Sequence, residues 1–314
     1  MNIHYRKRKS GFIIGINTMC IDCITIVDHF PKEGQAVRGL SQIRYPGGKG
    51  PNAILAAHKA GASTKFYSTV HPDDAQFLIK NLQESGIDIS GIKLSEKTQT
   101  VIANITQHTE TGDHTVVTLN GHHEITADMI SNTEFTPDNT LMLQAKLHEE
   151  TLSQLIDRAY QNDCAITMNM APVKKLDKSL ISKLDLLVIN EHEALDILNI
   201  YKISNNKRNE DSAQDIASYF GVITVLTRGA KGVILAKPDE PVKIYPAIRI
   251  KKVASTLGAG DAFFGVLTAR LHLGDELDSA IQKAIAASAI VCTKLEPQSC
   301  PDIDEIMTLL PSVS

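Results

Sequence analysis

Residues 255–264 read Ser255-Thr256-Leu257-Gly258-Ala259-Gly260-Asp261-Ala262-Phe263-Phe264. An apolar, β-branched approach (Ile248, Ile250, Val253) leads into a turn almost without side chains. From Ala262 a helical pattern opens through Val266, Leu267 and Leu271. A glycine turn that feeds a helix leaves several N–H groups unpaired and aimed outward, and the aligned peptide dipoles put partial positive charge there. Such a place binds anions, phosphate above all. Asp261 at the helix start would stand beside the anion, where it can take a proton from an attacking group. The plainer alternative is a helix entrance with Gly for tightness and Asp261 as its N-cap.

A second stretch has the same physics. Pro46-Gly47-Gly48-Lys49-Gly50-Pro51-Asn52 precedes a helical pattern from Ala53 to Ala60, ended by Gly61. It is not a Walker A loop, because Ile43 stands where the first Gly is needed and no Ser or Thr follows Lys49. Around these turns, strand patterns fall at 12–16, 24–27, 42–45 and 65–70, with an amphipathic helix at 74–85. Two alternating runs at 100–107 and 115–120, turned at Thr111-Gly112-Asp113, predict a hairpin. With the extended pieces at about 22–46, the hairpin would make a small accessory sheet, a lid. From Leu141 the chain follows a regular strand–helix pattern, with strands at 141–143, 165–168, 186–189 and 223–226 and helices at 151–162, after 190 and at about 213–220. Edge strands follow at 233–236 and 242–244, a polar loop is expected at 204–210, and long helices at 262–273 and 277–294 close the chain. The expected fold is therefore α/β: a doubly wound, mostly parallel central sheet flanked by helices. It forms one domain over 1–314, with a lid from about 17–46 and 98–122. Asn169, Asn190, Glu193, Thr227 and Asp261 each follow a strand. The C-terminal strand ends of such a sheet share one edge, where ligands bind, so these groups should converge.

Composition narrows the function. The 314 residues are 43% hydrophobic and 22% charged, which suits one large α/β domain. A net charge of −4 gives no basic field for nucleic acid, and the basic residues 6–9 read as a solvated tail. No apolar run reaches the roughly 20 residues of a membrane span, and no secretory leader precedes the first strand. Five scattered cysteines fit a reducing, cytoplasmic setting. Cys20 and Cys23 have C-x-x-C spacing but lie in a strand-like run, and no second pair completes a zinc site. His122-His123-Glu124 reads as a polar turn. The first strand is followed by no G-x-G-x-x-G and the chain has no G-x-S-x-G, so nicotinamide and serine-hydrolase chemistry lack their signatures. What remains is the inventory of phosphoryl transfer: anion-binding amides, a proton acceptor and oxygen ligands for a hydrated Mg²⁺ at Asn190 and Glu193. Helix capping is the competing account of that last pair.

At this point the chain resembles the ribokinase-like (pfkB) carbohydrate kinases, over about 11–301. The resemblance rests on Gly47-Gly48-Lys49-Gly50-Pro51-Asn52 and Gly258-Ala259-Gly260-Asp261, in that order. Phe30-Pro31-x-x-Gly34, the segment from Asn169 to Pro172, Asn190-x-x-Glu193 and Thr227-x-Gly229-x-x-Gly232 support it. It implies a sugar or nucleoside hydroxyl attacking the γ-phosphate of Mg-ATP, with Asp261 as base and the amides of Gly258, Ala259 and Gly260 holding the phosphate. Asp22, Gly48, Lys49 and Asn52 would bind substrate; Asn190, Thr227, Gly229 and Gly232 would bind ATP. Glu193 would serve Mg²⁺ through water, and lid-to-lid homodimers are expected. The chain also departs from the family. Ser255 replaces the usual Asp or Asn and Glu296 a Gly, which leaves potassium dependence open at Ser255. Cys20 replaces a frequent Asn, and Lys146 stands where a substrate-binding Glu is frequent. A nucleoside kinase, a sugar-phosphate kinase and a binding homologue without chemistry remain alternatives.

Overall fold

The computed structural model describes residues 10–119, 121–203 and 209–310. The chain opens with β1 (Ile13–Ile16) and crosses into an antiparallel pair, β2 (Cys20–Val27) and β3 (Ser41–Gly47). It then returns through α1 (Lys49–Lys59), β4 (Thr64–Val70), α2 (Pro72–Glu84) and β5 (Asp88–Leu94). The hairpin of β6 (Val101–His108) and β7 (His114–Thr118) follows. Next come β8 (Thr140–Gln144), α3 (Glu149–Gln161), β9 (Ala165–Asn169), α4 (Lys178–Ile181), β10 (Leu186–Asn190) and α5 (Glu191–Tyr201). The last part holds α6 (Asn209–Phe220), β11 (Ile223–Thr227), β12 (Val233–Ala236), β13 (Lys243–Tyr245), α7 (Ala259–His272), α8 (Leu277–Val291) and α9 (Ile303–Thr308).

Among the described residues, nine strands form one sheet in the order β13-β12-β11-β10-β9-β8-β1-β4-β5. It is parallel from β11 to β5, and β12 and β13 add antiparallel to one edge. Strands covered by helices on both faces carry unbroken apolar runs, and β1 and β8 are buried at every position. One apolar cluster joins β1, β4 and β10 to α1, α2, α7 and α8; the other packs the opposite face against α3, α5 and α6. From β1 the chain builds outward through β4 and β5. It then crosses back to β8 and builds the other way, so the strand order reverses beside β1. At such a reversal the connections diverge and leave a crevice at the C-terminal strand ends.

The second sheet has the order β3-β2-β6-β7. It covers only one face, so β6 alternates between buried and more exposed positions, as a one-sided sheet must. Ile24, Ala103 and Ile105 form its own small core, closed by Tyr45 and by Leu257 from the loop before α7.

Four local expectations change. The approach at Ile248, Ile250 and Val253 is not a strand; β13 ends at Tyr245 and the chain runs irregularly to α7. Helix α1 begins at Lys49 rather than Ala53, so the glycine turn is the helix's own first turn. Strand β5 and helix α9 were not expected. The loop predicted at 204–210 lies mostly outside the described residues, and α6 has begun by Asn209. The basic tail at 6–9 also lies outside them.

Candidate active site

The two glycine turns meet. Asn52 donates from Nδ2 to Asp261 Oδ2 at 2.9 Å, a buried bond between residues 209 positions apart in sequence. Close approach of α1 and α7 makes it possible: a Cβ on Gly265 would lie 2.1 Å from the Ala53 carbonyl oxygen. Pro51 fits the first turn of α1 because an N–H there has no helical partner to lose. Gly50 lies against Asn17, whose Cβ would be 2.3 Å from a Cβ at that position. Helix α7 starts after Gly258, which holds the left-handed conformation (φ 76°). Asp261 occupies the third helical position and makes no cap to its own helix, so the plainer account of Asp261 as an N-cap fails. The Ala259 amide turns back to the Thr256 carbonyl at 3.4 Å. A Cβ on Gly260 would meet no atom within 4 Å, so open space lies over this helix start.

Asp22 reaches the same cleft from the small sheet. It is only 7% exposed, and Cys20 Sγ donates to its Oδ1 at 3.2 Å. Gly47, on the neighbouring strand, has no room for a side chain, since its Cβ would lie 2.1 Å from Asp22 Oδ2. Burial pushes the Asp22 carboxyl up to about 6; the Cys20 thiol opposes this, the Asp261 charge adds to it, and Lys146 and Lys49 oppose it. Burial also raises Asp261, against the pull of Lys49 and the Asn52 amide. Asp22, Asp261, Lys49 and Asn52 therefore share one electrostatic environment.

The strand ends supply the rest. Asn190 and Thr227 are register partners at the ends of β10 and β11, and Thr227 Oγ1 donates to the Ile189 carbonyl at 3.3 Å. Gly229 and Gly232 follow with positive φ, and Gly232 is pressed against the Tyr245 carbonyl, 2.0 Å from its would-be Cβ. Asn190 and Glu193 do form a reciprocal capping box: Asn190 Oδ1 accepts the Glu193 N–H at 2.9 Å and Glu193 Oε2 accepts the Asn190 N–H at 2.8 Å. Capping uses one oxygen of each side chain. Burial holds the Glu193 carboxyl above the usual carboxylate range, with Lys49 and Asp261 acting on it from the cleft. No group of three His, Cys, Asp or Glu gathers as a metal cage among the described residues. A single carboxylate such as Glu193 could serve Mg²⁺, which keeps most of its water and takes few protein ligands.

Several site neighbours escaped the sequence reading. Asn17 follows β1 and donates to Gln144 Oε1 at 2.6 Å across the crevice; its place after a strand was the available signal. Gln107 is a second. Ser255, 1% exposed, donates to Gln107 Oε1 at 3.1 Å and accepts the Leu257 N–H at 3.2 Å. Gln107 Nε2 in turn donates to the Ala254 carbonyl at 3.0 Å. Beside them, Thr256 Oγ1 lies 3.3 Å from His114 Nδ1. The hairpin is thus tied to the loop that leads into Gly258. Cys20 and Cys23 are free thiols on one strand.

Fold and junction together define a class: α/β proteins that gather two glycine-rich helix starts and a buried carboxylate in one crevice. The chain belongs to the pfkB family of carbohydrate kinases, whose model matches residues 12–304, and so to the ATP-dependent sugar kinases. It is 30% identical to a ribokinase of Haemophilus influenzae over 301 residues, covering 93% of this chain and 95% of that one. It is 26% identical to a ribokinase of Bacillus subtilis over 309 residues (94% and 98% covered). The solved structure of a Thermotoga maritima ribokinase superposes with a TM-score of 0.83 at 26% identity, covering 96% and 99% of the two chains. A ribokinase of Arabidopsis thaliana, solved with ribose and ATP, shares the fold with a TM-score of 0.82 at 18% identity, covering 96% and 98%. Among the described residues no helix is long and apolar enough to cross a membrane.

Proposed function

We propose that the protein transfers the γ-phosphoryl group of ATP to a hydroxyl of a small sugar in the cleft between the two sheets. The Asn52–Asp261 bond carries the reading, because it brings a buried carboxylate to the point where the two glycine turns meet. The substrate oxygen attacks the γ-phosphorus, the bond from that phosphorus to the β,γ-bridging oxygen breaks, and ADP leaves. The hydroxyl proton passes to Asp261. Burial favours this, since a carboxylate held above its usual range is a better base near neutral pH. The N–H groups of Gly258 and Gly260, joined by that of Ala259 once it leaves the Thr256 carbonyl, would face the phosphoryl oxygens, where fixed donors stabilise charge as it develops.

Asp22 and Asn52 grip the sugar. Asn52 Oδ1 is buried and has no partner among the described residues; a sugar O–H would satisfy it, which an unpaired buried acceptor favours. Gly48 and Lys49 close the same side. Asn190, Thr227, Gly229 and Gly232 line the nucleotide side. Glu193 would hold Mg²⁺ through water, and the ion when bound would neutralise polyphosphate charge. The small sheet acts as the lid, and its tie through Gln107 positions the phosphate turn. Ser255 offers no charge to a monovalent ion and spends its hydroxyl on Gln107, which favours activity without added potassium. The relatives named ribokinase support a pentose acceptor. The test is ADP release with D-ribose, 2-deoxy-D-ribose and a nucleoside: turnover with a sugar is expected. ATP binding with no transfer to any acceptor would leave a binding protein instead.

A further inference from the structure

A cationic cluster stands at the C-terminal end of β8, beside the sugar side of the cleft. Lys146 follows that strand, half-buried. Among the described residues its ammonium has no ion-pair partner within bonding distance, although its charge reaches both Asp22 and Cys20. His148, just before α3, packs its ring against His123, with centroids 5.0 Å apart. Lys174 donates from Nζ to the Leu147 carbonyl, between Lys146 and His148. His122 adjoins His123, anchored where its carbonyl accepts the Gln99 N–H at 2.8 Å. Burial pushes His123 down to about 4, and His148, His122, Lys146 and Lys174 push it the same way; no carboxylate is among these influences. Nearby acids are engaged or outside: Glu124 is held by Ser95 and Lys97, and Glu149 and Glu150 are exposed in the first turn of α3.

Five groups that carry or can carry positive charge therefore gather at this end of β8, and the carboxylate that Lys146 acts on, Asp22, is buried and already shared with Lys49. A partly buried ammonium without a partner is unfavourable, and a bound anion relieves it. We propose that the acceptor sugar carries its own anion, a carboxylate or a phosphate remote from the attacked hydroxyl, and that Lys146 pairs with it at the His123–His148 side of the cleft. This rests on the kinase reading above for the reaction, but not for the binding. Lys146 acts here as the specificity-determining residue. Its ammonium is a compact point charge suited to either kind of anion.

Three sugars that share one primary hydroxyl test this on the full chain: D-ribose, D-ribonate and D-ribose 1-phosphate. ADP release should give kcat/KM for one of the anions roughly 10–100-fold above that for D-ribose, the range of a charged hydrogen bond. The better anion identifies carboxylate or phosphate. Lys146→Glu should cut the anion-to-neutral ratio at least about tenfold, and Lys146→Met should cut it less. A preference for D-ribose, with a ratio unmoved by Lys146→Glu, overturns the proposal. Calorimetric titration of both anions without nucleotide separates the two readings. Saturable binding lost in Lys146→Glu supports the anion site even where no sugar releases ADP, a result that would count against the kinase reading alone. Failure of the parent chain to bind either anion overturns the anion site whatever the turnover.

Discussion

Replacing Asp22 by Asn should stabilise the ligand-free protein while disabling it, and the stabilisation should depend on pH. The Asp22 carboxyl moves from 3.8 to about 6 on folding, chiefly through burial, and the residue is only 7% exposed. Between those values the folded chain keeps a proton that the unfolded chain has released. Stability is therefore full below the lower value and falls as pH rises through the window. A rise of about two units costs about 3 kcal/mol at about pH 7.5, of which about 1 kcal/mol is already felt at about pH 4.5. Asp22→Asn removes this titration at nearly constant volume and keeps an oxygen for the Cys20 thiol. Its stability relative to the parent should thus grow by about 2 kcal/mol between those pH values. Urea unfolding of both proteins across that range measures the difference. A difference independent of pH would refute the burial of a strained carboxylate at this position, and with it the description of the cleft as a site held ready for a donor.

Two further substitutions probe the phosphate turn and its support. Gly258→Ala forces a side chain into a left-handed residue whose Cβ would lie 2.3 Å from the Pro297 carbonyl. It should cost roughly 1–3 kcal/mol in urea unfolding and lower turnover; parent-like values in both would contradict the conformation assigned to the turn. Gln107→Leu strips the Ser255 hydroxyl and the Ala254 carbonyl of their partner. A loss of roughly 1–3 kcal/mol is expected, with kcat falling more than KM rises, because the loop before Gly258 loses its tie; unchanged kcat would reduce the tie to mere packing.

The fold was legible where one period dominates. The apolar runs of β1, β8 and β10 follow from burial on both faces, and the alternation of β6 follows from burial on one. Strand β5 was not legible: it lies at a sheet edge, is mostly half-exposed, and carries Gly91 against the Tyr67 ring. The apolar residues before Ser255 suggested a strand, yet no strand pairs with them. The helix was expected only from Ala53, whereas the first turn of α1 takes in Pro51. In the site, both glycine turns were legible because turn chemistry is local. Their union through Asn52 and Asp261 was expected only through the family resemblance, because the shared sheet edge took in Asp261 but not Asn52. Asn190 and Glu193 show the reverse case, since the capping they perform is local and any metal role must be added to it. Gln107 reads as an ordinary polar position of an alternating strand, and the His123–His148 contact joins segments with no common pattern. Both are set by tertiary packing alone.

In the proposed reaction Asp261 takes the proton of the attacking hydroxyl. Single-turnover formation of phosphorylated sugar by Asp261→Asn, with the ATP dissociation constant measured on the same preparation, tests it most directly. Transfer should be slowed by at least roughly 10²–10⁴-fold, the usual worth of a positioned base, with nucleotide affinity nearly unchanged. Transfer within about twofold of the parent would contradict it and leave Asp261 as no more than the partner of Asn52.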